Sequence, residues 1–123
     1  MTVDKNPSPL GSLAHSRDGK CTLVTVLGPV ARLELFERAS GKSLRKFTGH
    51  ANASYSLACA FDNTDGRVFA GSEDNIARGW DLVSGAVVKQ FNCESPVLGI
   101  SHHPTLRWLA VGTAHGNLTL YMT

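Results

Sequence analysis

The segment SEDNIARGWD, residues 72–81, brings three carboxylates, a serine and a tryptophan together within ten residues. Carboxylates at this density occur in acid–base sites, in metal sites and in tight turns. Each of these possibilities predicts a different function, so the surrounding sequence has to decide between them.

The chain repeats itself at two spacings. The segment FERASGKSLRKF, residues 36–47, aligns with WDLVSGAVVKQF, residues 80–91, at an offset of 44 residues. SPLGSLAHS, which begins at Ser8, aligns with SPVLGISHH, which begins at Ser95, at an offset of 87, nearly twice the first. A period of about 40–45 residues with a Trp-Asp pair is typical of the four-stranded blade of a β-propeller.

The segments between these marks have the composition of short strands. They are rich in β-branched and apolar residues, and turn dipeptides such as Asp18-Gly19, Asp65-Gly66, Ser40-Gly41 and Ser84-Gly85 separate them. No stretch shows the helical spacing of apolar residues over a dozen positions. The pattern therefore predicts an all-β fold, with strands in residues 21–27, 31–37, 56–61, 67–72, 86–91, 107–113 and 117–122.

Composition and cysteine spacing narrow the functional classes. A length of 123 residues with 42% hydrophobic and 18% charged residues fits one small globular domain. The net charge of +2, the lack of an apolar run of about 20 residues and the polar N-terminus predict no nucleic-acid surface, membrane span or secretory signal. Cys21, Cys59 and Cys93 are more than thirty residues apart, so we expect reduced thiols, with no zinc site, disulfide framework or other cofactor.

Residues 47–91 resemble one nearly complete repeat of the WD-repeat (WD40) family. The segment has the opening Gly49-His50, the step from Ser72 to Asp74 and the closing Trp80-Asp81. Within that family, the strings SRDGKCTLV, SEDNIARGWDLVSGA and HHPT resemble the last blades of the mitogen-activated protein kinase organizer subfamily, in the same order. The resemblance implies a partial β-propeller, with about three blades of a ring that would normally have seven.

The resemblance also implies a role for the opening segment. It predicts a buried hydrogen-bond network of His50, Ser72, Asp74 and Trp80, which runs from the indole N–H through serine and histidine to the aspartate. A buried tryptophan needs such a partner, and a buried His–Asp pair has to be fully satisfied. Glu73 is then an exposed loop residue, and Asp81 begins the turn after the third strand.

The other blades depart from this pattern. Phe36-Glu37 stands at the Trp-Asp position of the first blade, and Tyr121 at the Trp position of the last, where His115-Gly116 replaces Asp-Gly. Within the best blade, Ala77 and Gly79 stand where larger apolar residues are usual, and a glycine weakens a strand. We expect the first and last blades to lack the full network and to depend on packing.

Several alternatives assign chemistry to the same residues. Ser72, His50 and Asp74 are the residue types of a hydrolase triad, but no nucleophile elbow or oxyanion hole accompanies them. His102-His103 could suggest a metal site, although neighbours on a strand point to opposite faces. Ser8-Pro9 and Ser95-Pro96 fit either a proline-directed phosphorylation site or prolines that set a loop.

Repeat length sets the expected organisation. We expect residues 1–11 to end a preceding blade, 12–47 to form a degenerate blade, 48–91 the best-matching blade and 92–123 a last, incomplete one. At about 43 residues a blade the chain holds two and a half to three blades, fewer than the four to eight of a closed ring. We therefore expect a fragment or short isoform of a longer propeller, or a short chain that completes a ring by oligomerising.

These features predict a binding protein and not an enzyme. The resemblance implies a non-catalytic scaffold, cytoplasmic and nuclear, for mitogen-activated protein kinase cascade components, with spliceosome components as further partners. The alternatives are a WD-repeat subunit of another complex, such as a ubiquitin ligase receptor, and a non-functional fragment. We expect no direct nucleic-acid contact, membrane or small-molecule substrate. The repeat family places the partner face on the loops that enter each blade and the tight turns, here Asn52, Ser54, Tyr55, Glu73 and Asn75.

Overall fold

Three antiparallel sheets make up the fold. The computed structural model describes residues 10–28, 31–50 and 57–123, and every regular element in these ranges is a β-strand. The first sheet contains β1 (Leu10–His15), β2 (Cys21–Val26), β3 (Arg32–Glu37) and β4 (Ser43–Phe47). The second contains β5 (Cys59–Phe61), β6 (Arg67–Ala70), β7 (Ile76–Asp81) and β8 (Val87–Asn92). The third contains β9 (Val97–His102), β10 (Trp108–Thr113) and β11 (Leu118–Met122).

Consecutive strands are neighbours in every sheet, in the orders β1-β2-β3-β4, β5-β6-β7-β8 and β9-β10-β11. This confirms the predicted all-β fold and is the arrangement of a partial β-propeller. The seven predicted strands are all present, with ends shifted by up to three residues. The first sheet begins at Leu10, two residues before the predicted boundary at residue 12, and β8 ends at Asn92, one residue beyond the predicted boundary at 91. Within the described ranges no helix is long and apolar enough to span a membrane.

Two apolar cores hold the sheets together. The first lies between sheets one and two, where Leu33, Phe47 and Trp80 are fully buried. The second lies between sheets two and three, where Phe69 and Leu109 are fully buried. A fully buried side chain of this size contributes about 1.5–3 kcal/mol through removal of apolar surface from water. Consecutive buried residues in β5 to β7 point to opposite faces of the second sheet, which therefore packs against both of its neighbours.

The outer hairpins of the first two sheets confirm the repeat at 44 residues. Gly41 N donates to the Glu37 carbonyl at 2.8 Å, and Gly85 N donates to the Asp81 carbonyl at 2.9 Å. Both glycines have positive φ, 70° and 75°, a conformation that other residues adopt at a cost. The two turns are therefore the same structure, although only two of their residues are identical.

The sheets have two ends, which we name by their connections. The turn end carries the turns at residues 16–20, 38–42, 62–66, 82–86 and 103–107. The connection end carries residues 48–50, 71–75, 93–96 and 114–117. Arg17 shows that the turn ends of all three sheets lie together, because its guanidinium donates to the Asp62 carbonyl at 3.2 Å and the His102 carbonyl at 3.0 Å.

Candidate functional site

An ion pair occupies the tight turn between β6 and β7. Arg78 donates from Nη2 to Asp74 Oδ2 at 2.7 Å and from Nη1 to Asp74 Oδ1 at 3.0 Å. Arg78 Nη1 also lies 3.2 Å from the hydroxyl of Ser72, which is fully buried. Paired hydrogen bonds between a guanidinium and a carboxylate are among the strongest in proteins. Ser72, Asp74 and Arg78 therefore form one polar cluster that closes the turn.

His50 and Trp80 form a separate pair. The Trp80 indole N–H donates to the Thr48 carbonyl at 2.9 Å. The His50 ring meets the Trp80 ring edge-on, with 5.5 Å between their centroids. Both ring nitrogens of His50 are buried, and neither has a hydrogen-bond partner among the described residues. This histidine contacts the tryptophan through its ring and not through its nitrogens.

The predicted route of the hydrogen-bond network is therefore wrong. We expected the indole N–H to reach Asp74 through Ser72 and His50, but these four residues separate into two pairs. The reason is Arg78, which lies two residues before Trp80 and brings a guanidinium to Asp74 and Ser72. A charge-assisted double hydrogen bond outcompetes a bond from a neutral imidazole.

Burial, hydrogen bonds and neighbouring charges shift the pKa values of His50 and Asp74. Burial and, to a smaller extent, the nearby Arg78 charge lower the pKa of His50 to about 4, against the opposing effect of Asp74. Burial raises the pKa of Asp74, but hydrogen bonds from Arg78 and Ser72 and the charge of Arg78 outweigh it, so the pKa lies below the usual range. At neutral pH Asp74 is charged and His50 is neutral.

The remaining acids of residues 72–81 have structural positions. Asp81 is the last residue of β7, and its carboxylate accepts from Val83 N at 3.0 Å and Ser84 N at 2.9 Å, as predicted for a turn-starting residue. Glu73 is half-buried, which corrects its prediction as an exposed residue. The Asp74 carboxylate is held by Arg78, and the Asp81 carboxylate by the backbone of the turn that it begins.

Two of the predicted partner-face residues can be placed. Glu73 and Asn75 lie in the β6–β7 turn at the connection end, whereas Asn52, Ser54 and Tyr55 lie outside the described residues. The Asn75 carbonyl accepts from Cys93 N at 2.7 Å, and the Pro96 carbonyl accepts from Ala114 N at 2.9 Å. Backbone hydrogen bonds thus join three neighbouring segments of the connection end.

The geometry does not form a hydrolase triad. A nucleophilic serine needs a base within hydrogen-bond reach. Ser72 Oγ instead bonds to the guanidinium of Arg78, and His50 makes no hydrogen bond to Ser72 or Asp74. Asp74 accepts a hydrogen bond from Ser72, but its lowered pKa makes it a weak base.

The histidine pair at the end of β9 has local structural roles. His102 Nε2 lies 3.0 Å from Thr123 Oγ1, and His103 Nδ1 accepts from Leu106 N at 3.0 Å. Nowhere in residues 10–28, 31–50 and 57–123 do three or more His, Cys, Asp or Glu side chains form a group that could hold a metal ion. The two rings are therefore part of the β9–β10 turn and its contact with the end of β11.

Ser95 is nearly inaccessible. Its side chain is 1% exposed, and Oγ accepts from His115 N at 3.4 Å. A kinase would have to reach this hydroxyl to phosphorylate it. The burial of Ser95 therefore favours the alternative that the Ser95-Pro96 step sets the loop. The equivalent Ser8 lies outside the described residues.

All three cysteines are free, and burial raises the pKa of Cys59 to about 11, so this thiol is unreactive at neutral pH.

A cavity of about 470 Å³ opens on the outer face of the third sheet, between Pro104, Trp108 and Leu120. Its apolar lining continues along the exposed side chains of Leu118 and Met122.

The sequence reasoning missed Arg78, Thr48 and Arg17. A signal for Arg78 was present, because a cation four residues after Asp74, across a tight turn, is within reach of the carboxylate. The bond from Trp80 to Thr48 and those from Arg17 join residues 32 to 85 positions apart. No local pattern could have indicated these contacts.

Comparison with known proteins agrees with the geometry. Residues 41–81 match the WD40 family model, described as "WD domain, G-beta repeat". This match covers β4 of the first sheet and β5 to β7 of the second.

The relatives found among curated proteins are named as WD-repeat proteins. WD repeat domain-containing protein 83 of Danio rerio is 35% identical over 106 residues, which are 85% of this chain and 33% of the relative. The Homo sapiens protein of that name is 37% identical over 99 residues, 80% of this chain and 31% of the relative. An uncharacterized WD repeat-containing protein of Schizosaccharomyces pombe is 29% identical over 123 residues, 98% of this chain and 41% of the relative. The chain thus spans about a third of the length of the first two.

Proposed function

We propose that this chain is a WD-repeat protein and that its sheets, which have the arrangement of a partial WD40 β-propeller, form a non-catalytic scaffold that binds other proteins. The family match and the antiparallel sheets support this class of function, because propellers of this kind present loops and turns as binding surfaces. Fold alone does not define a function, so the geometry of the polar residues matters.

The observation that carries the proposal is the use of the polar residues at the β6–β7 turn. Arg78 holds Asp74 and Ser72 in place, and these are the side chains that a hydrolytic site would need. The turn they close is tied by backbone bonds to the adjacent segments of the connection end. The result is a fixed surface for recognition, since rigid elements lose little entropy when a partner binds.

For the identity of the partners, we propose components of a mitogen-activated protein kinase cascade. The support is the resemblance of residues 16–24 and 72–86 to the mitogen-activated protein kinase organizer subfamily, together with the relatives named WD repeat domain-containing protein 83. Cytoplasmic and nuclear localisation is part of the same proposal. Because the chain spans about a third of those relatives, the proposal concerns its contribution to such an assembly.

Affinity purification tests this proposal. The tagged chain is expressed in cells, and the recovered proteins are quantified by mass spectrometry. We expect a mitogen-activated protein kinase and its activating kinase to be recovered together. Recovery of splicing factors without either kinase would contradict the kinase assignment, and recovery of an enzymatic activity that depends on Ser72 would contradict the scaffold class.

A matched pair of variants tests whether the connection end binds the kinases. Glu73→Gln with Asn75→Gly removes one negative charge and one amide side chain from the connection end, and glycine keeps the φ of 70° found at Asn75. Lys89→Gln on the outer strand β8 is the control. We expect the first variant to lower kinase recovery several-fold and the control to retain it. Equal recovery from both would show that the connection end does not hold the kinases.

A further inference from the structure

The charges are distributed unevenly over the three sheets. Residues 10–47 contain seven Lys and Arg against three Asp and Glu, a net charge of +4. Residues 57–92 contain three against five, a net charge of −2, and residues 93–123 are neutral. The small overall charge of +2 thus conceals a basic first sheet beside an acidic second one. Such asymmetry is characteristic of a surface that attracts an oppositely charged partner.

Three of the basic residues gather at the turn end of the first sheet. Arg38 N donates to the Lys20 carbonyl at 2.8 Å, which brings the β1–β2 and β3–β4 turns into contact. Glu37 N donates to the Lys42 carbonyl at 2.9 Å, which places Lys42 across the same turn. All three cationic side chains are exposed. We call Lys20, Arg38 and Lys42 the basic corner.

The nearby carboxylates are engaged by hydrogen bonds within or between the turns. Asp65 of the β5–β6 turn accepts from Arg17 N at 2.9 Å and from Asp18 N at 3.2 Å. Asp18 accepts from Ser16 Oγ at 2.6 Å and from Lys20 N at 2.9 Å, and Glu37 accepts from Ser40 Oγ at 2.8 Å. In the described part of the chain, ion pairs form between Arg32 and Glu34 and between Arg78 and Asp74, and none involves the basic corner. Its ammonium and guanidinium groups therefore have donors to offer a partner.

The second sheet shows that the fold does not require these cations. The positions equivalent to Lys20, Arg38 and Lys42 are occupied by Gly66, Leu82 and Ala86. The same backbone bonds are present there, from Leu82 N to the Gly66 carbonyl at 3.0 Å and from Asp81 N to the Ala86 carbonyl at 2.9 Å. Two sheets thus make the same corner, and only the first makes it basic.

We propose that the basic corner is a docking surface for an acidic segment of a protein partner. The inference deepens the scaffold function and rests on it, because it names the chemistry that one partner presents. Aspartate and glutamate side chains match the exposed donors. An RNA strand fits less well, since the Phe, Tyr and Trp side chains of described residues 10–28 and 31–47 are the half-buried Phe36 and the fully buried Phe47, which leaves no exposed phenyl, phenol or indole ring there to stack on a base.

Peptide binding by the full chain tests the inference. The probe is a fluorescent oligoglutamate peptide, with the matching oligoglutamine as its neutral counterpart, measured by anisotropy at low and physiological salt. The test variant, Lys20→Gly with Arg38→Leu and Lys42→Ala, transplants the second-sheet residues and so preserves the corner. The control, Lys46→Ala with Lys89→Ala and Arg107→Ala, removes the same charge elsewhere.

We expect the test variant to weaken oligoglutamate binding about tenfold, as for three exposed charge pairs. The control should stay within about threefold of the unmodified chain, and salt should weaken binding because the contacts are exposed. Circular dichroism confirms that both variants are folded. An equal loss from both variants would overturn the inference, because net charge alone would then explain binding.

Two further results separate this inference from the scaffold proposal. Tighter binding of a single-stranded oligouridylate than of oligoglutamate would overturn the assignment to an acidic protein segment. Retained kinase recovery by a chain that does not bind oligoglutamate would overturn the docking inference alone. Kinase recovery by the Glu73→Gln with Asn75→Gly variant tests the scaffold proposal and not the docking inference, because these residues lie at the connection end, opposite the basic corner.

Discussion

Phe91 stacks on Tyr121 with 4.4 Å between ring centroids and 24° between ring planes, which joins the second sheet to the third. Phe47 meets Trp80 between the first sheet and the second in a tilted geometry, with 6.2 Å between ring centroids and 51° between ring planes. Phe47 and Phe91 are related by the 44-residue repeat. An aromatic residue of each outer strand thus anchors the next sheet, and Tyr121 replaces the tryptophan in the last one.

Truncation of these two phenylalanines should have unequal effects. Phe47 is fully buried, so Phe47→Ala should lower the free energy of unfolding by about 3–5 kcal/mol. Phe91 is half-buried, so Phe91→Ala should cost about 2 kcal/mol. Urea denaturation measures both values. Equal losses in the free energy of unfolding would mean that burial does not determine how much each aromatic contact stabilises the fold.

Loss of the Asp74 carboxylate should weaken the β6–β7 turn. Asp74→Asn leaves the Arg78 side chain, which is 10% exposed, without its ionic partner. We expect a loss of about 1–2 kcal/mol, modest because the Asp74 side chain is 37% exposed. Since the pKa of Asp74 lies below 3.8 in the folded state, its contribution is present above pH 4 and is lost as pH falls through the folded value.

Glu73→Gln is the matched control for this prediction. It removes a neighbouring negative charge without touching the double hydrogen bond to Arg78. Thermal unfolding at pH 7 should therefore show a clearly larger decrease in Tm for Asp74→Asn than for Glu73→Gln. The reverse order would contradict a structural role for the ion pair.

His50 should make the protein acid-sensitive. Its pKa is 6.5 in the unfolded chain and about 4 in the folded one, so the folded state resists protonation. Stability should be complete above pH 6.5 and should fall by about 3 kcal/mol as pH drops from 6.5 to 4. Denaturant titrations across this range measure the slope.

A histidine substitution isolates this effect. His50→Phe keeps a ring against Trp80 and removes two buried nitrogens that lack partners, so we expect unchanged or higher stability at pH 7. The slope between pH 6.5 and 4 should decrease in this variant and persist in His115→Gln, which changes an exposed histidine. An unchanged slope in His50→Phe would assign the acid sensitivity to another group.

Gly79 should tolerate no side chain. A Cβ atom built there would lie 2.5 Å from Cε1 of Phe69, which is fully buried and cannot move aside. Gly79→Ala should therefore cost about 1–3 kcal/mol. Gly112→Ala is the control, because nothing lies within 4 Å of its added Cβ, and it should be nearly neutral.

A double-mutant cycle identifies the cause. In a Phe69→Leu background, the smaller side chain gives the new methyl group room, so Gly79→Ala should cost less than in the unmodified chain. We expect an interaction energy above about 0.5 kcal/mol between the two changes. An additive result would locate the strain in the backbone and not in the contact with Phe69.

The repeat made much of the fold predictable from the sequence. Local turn chemistry, as at Gly41 and Gly85, and alternating apolar residues predict strands and hairpins because both act over a few positions. The small residue at position 79 was noticed, but its reason was not, since the Phe69 ring that fills the space comes from β6. Arg78 escaped prediction because the competition for Asp74 depends on side-chain reach in three dimensions.

The hydrogen bonds of Arg17 couple the folding of the first sheet to that of the other two. Its guanidinium reaches carbonyls that lie 45 and 85 residues further along the chain. Repeat proteins in which each unit contacts only its neighbours can unfold one unit at a time. Here the first sheet also holds the third, so detachment of either end should break the same hydrogen bonds. We therefore expect one cooperative unfolding transition, and slow folding, because the contacts of Arg17 form only after a long loop has closed.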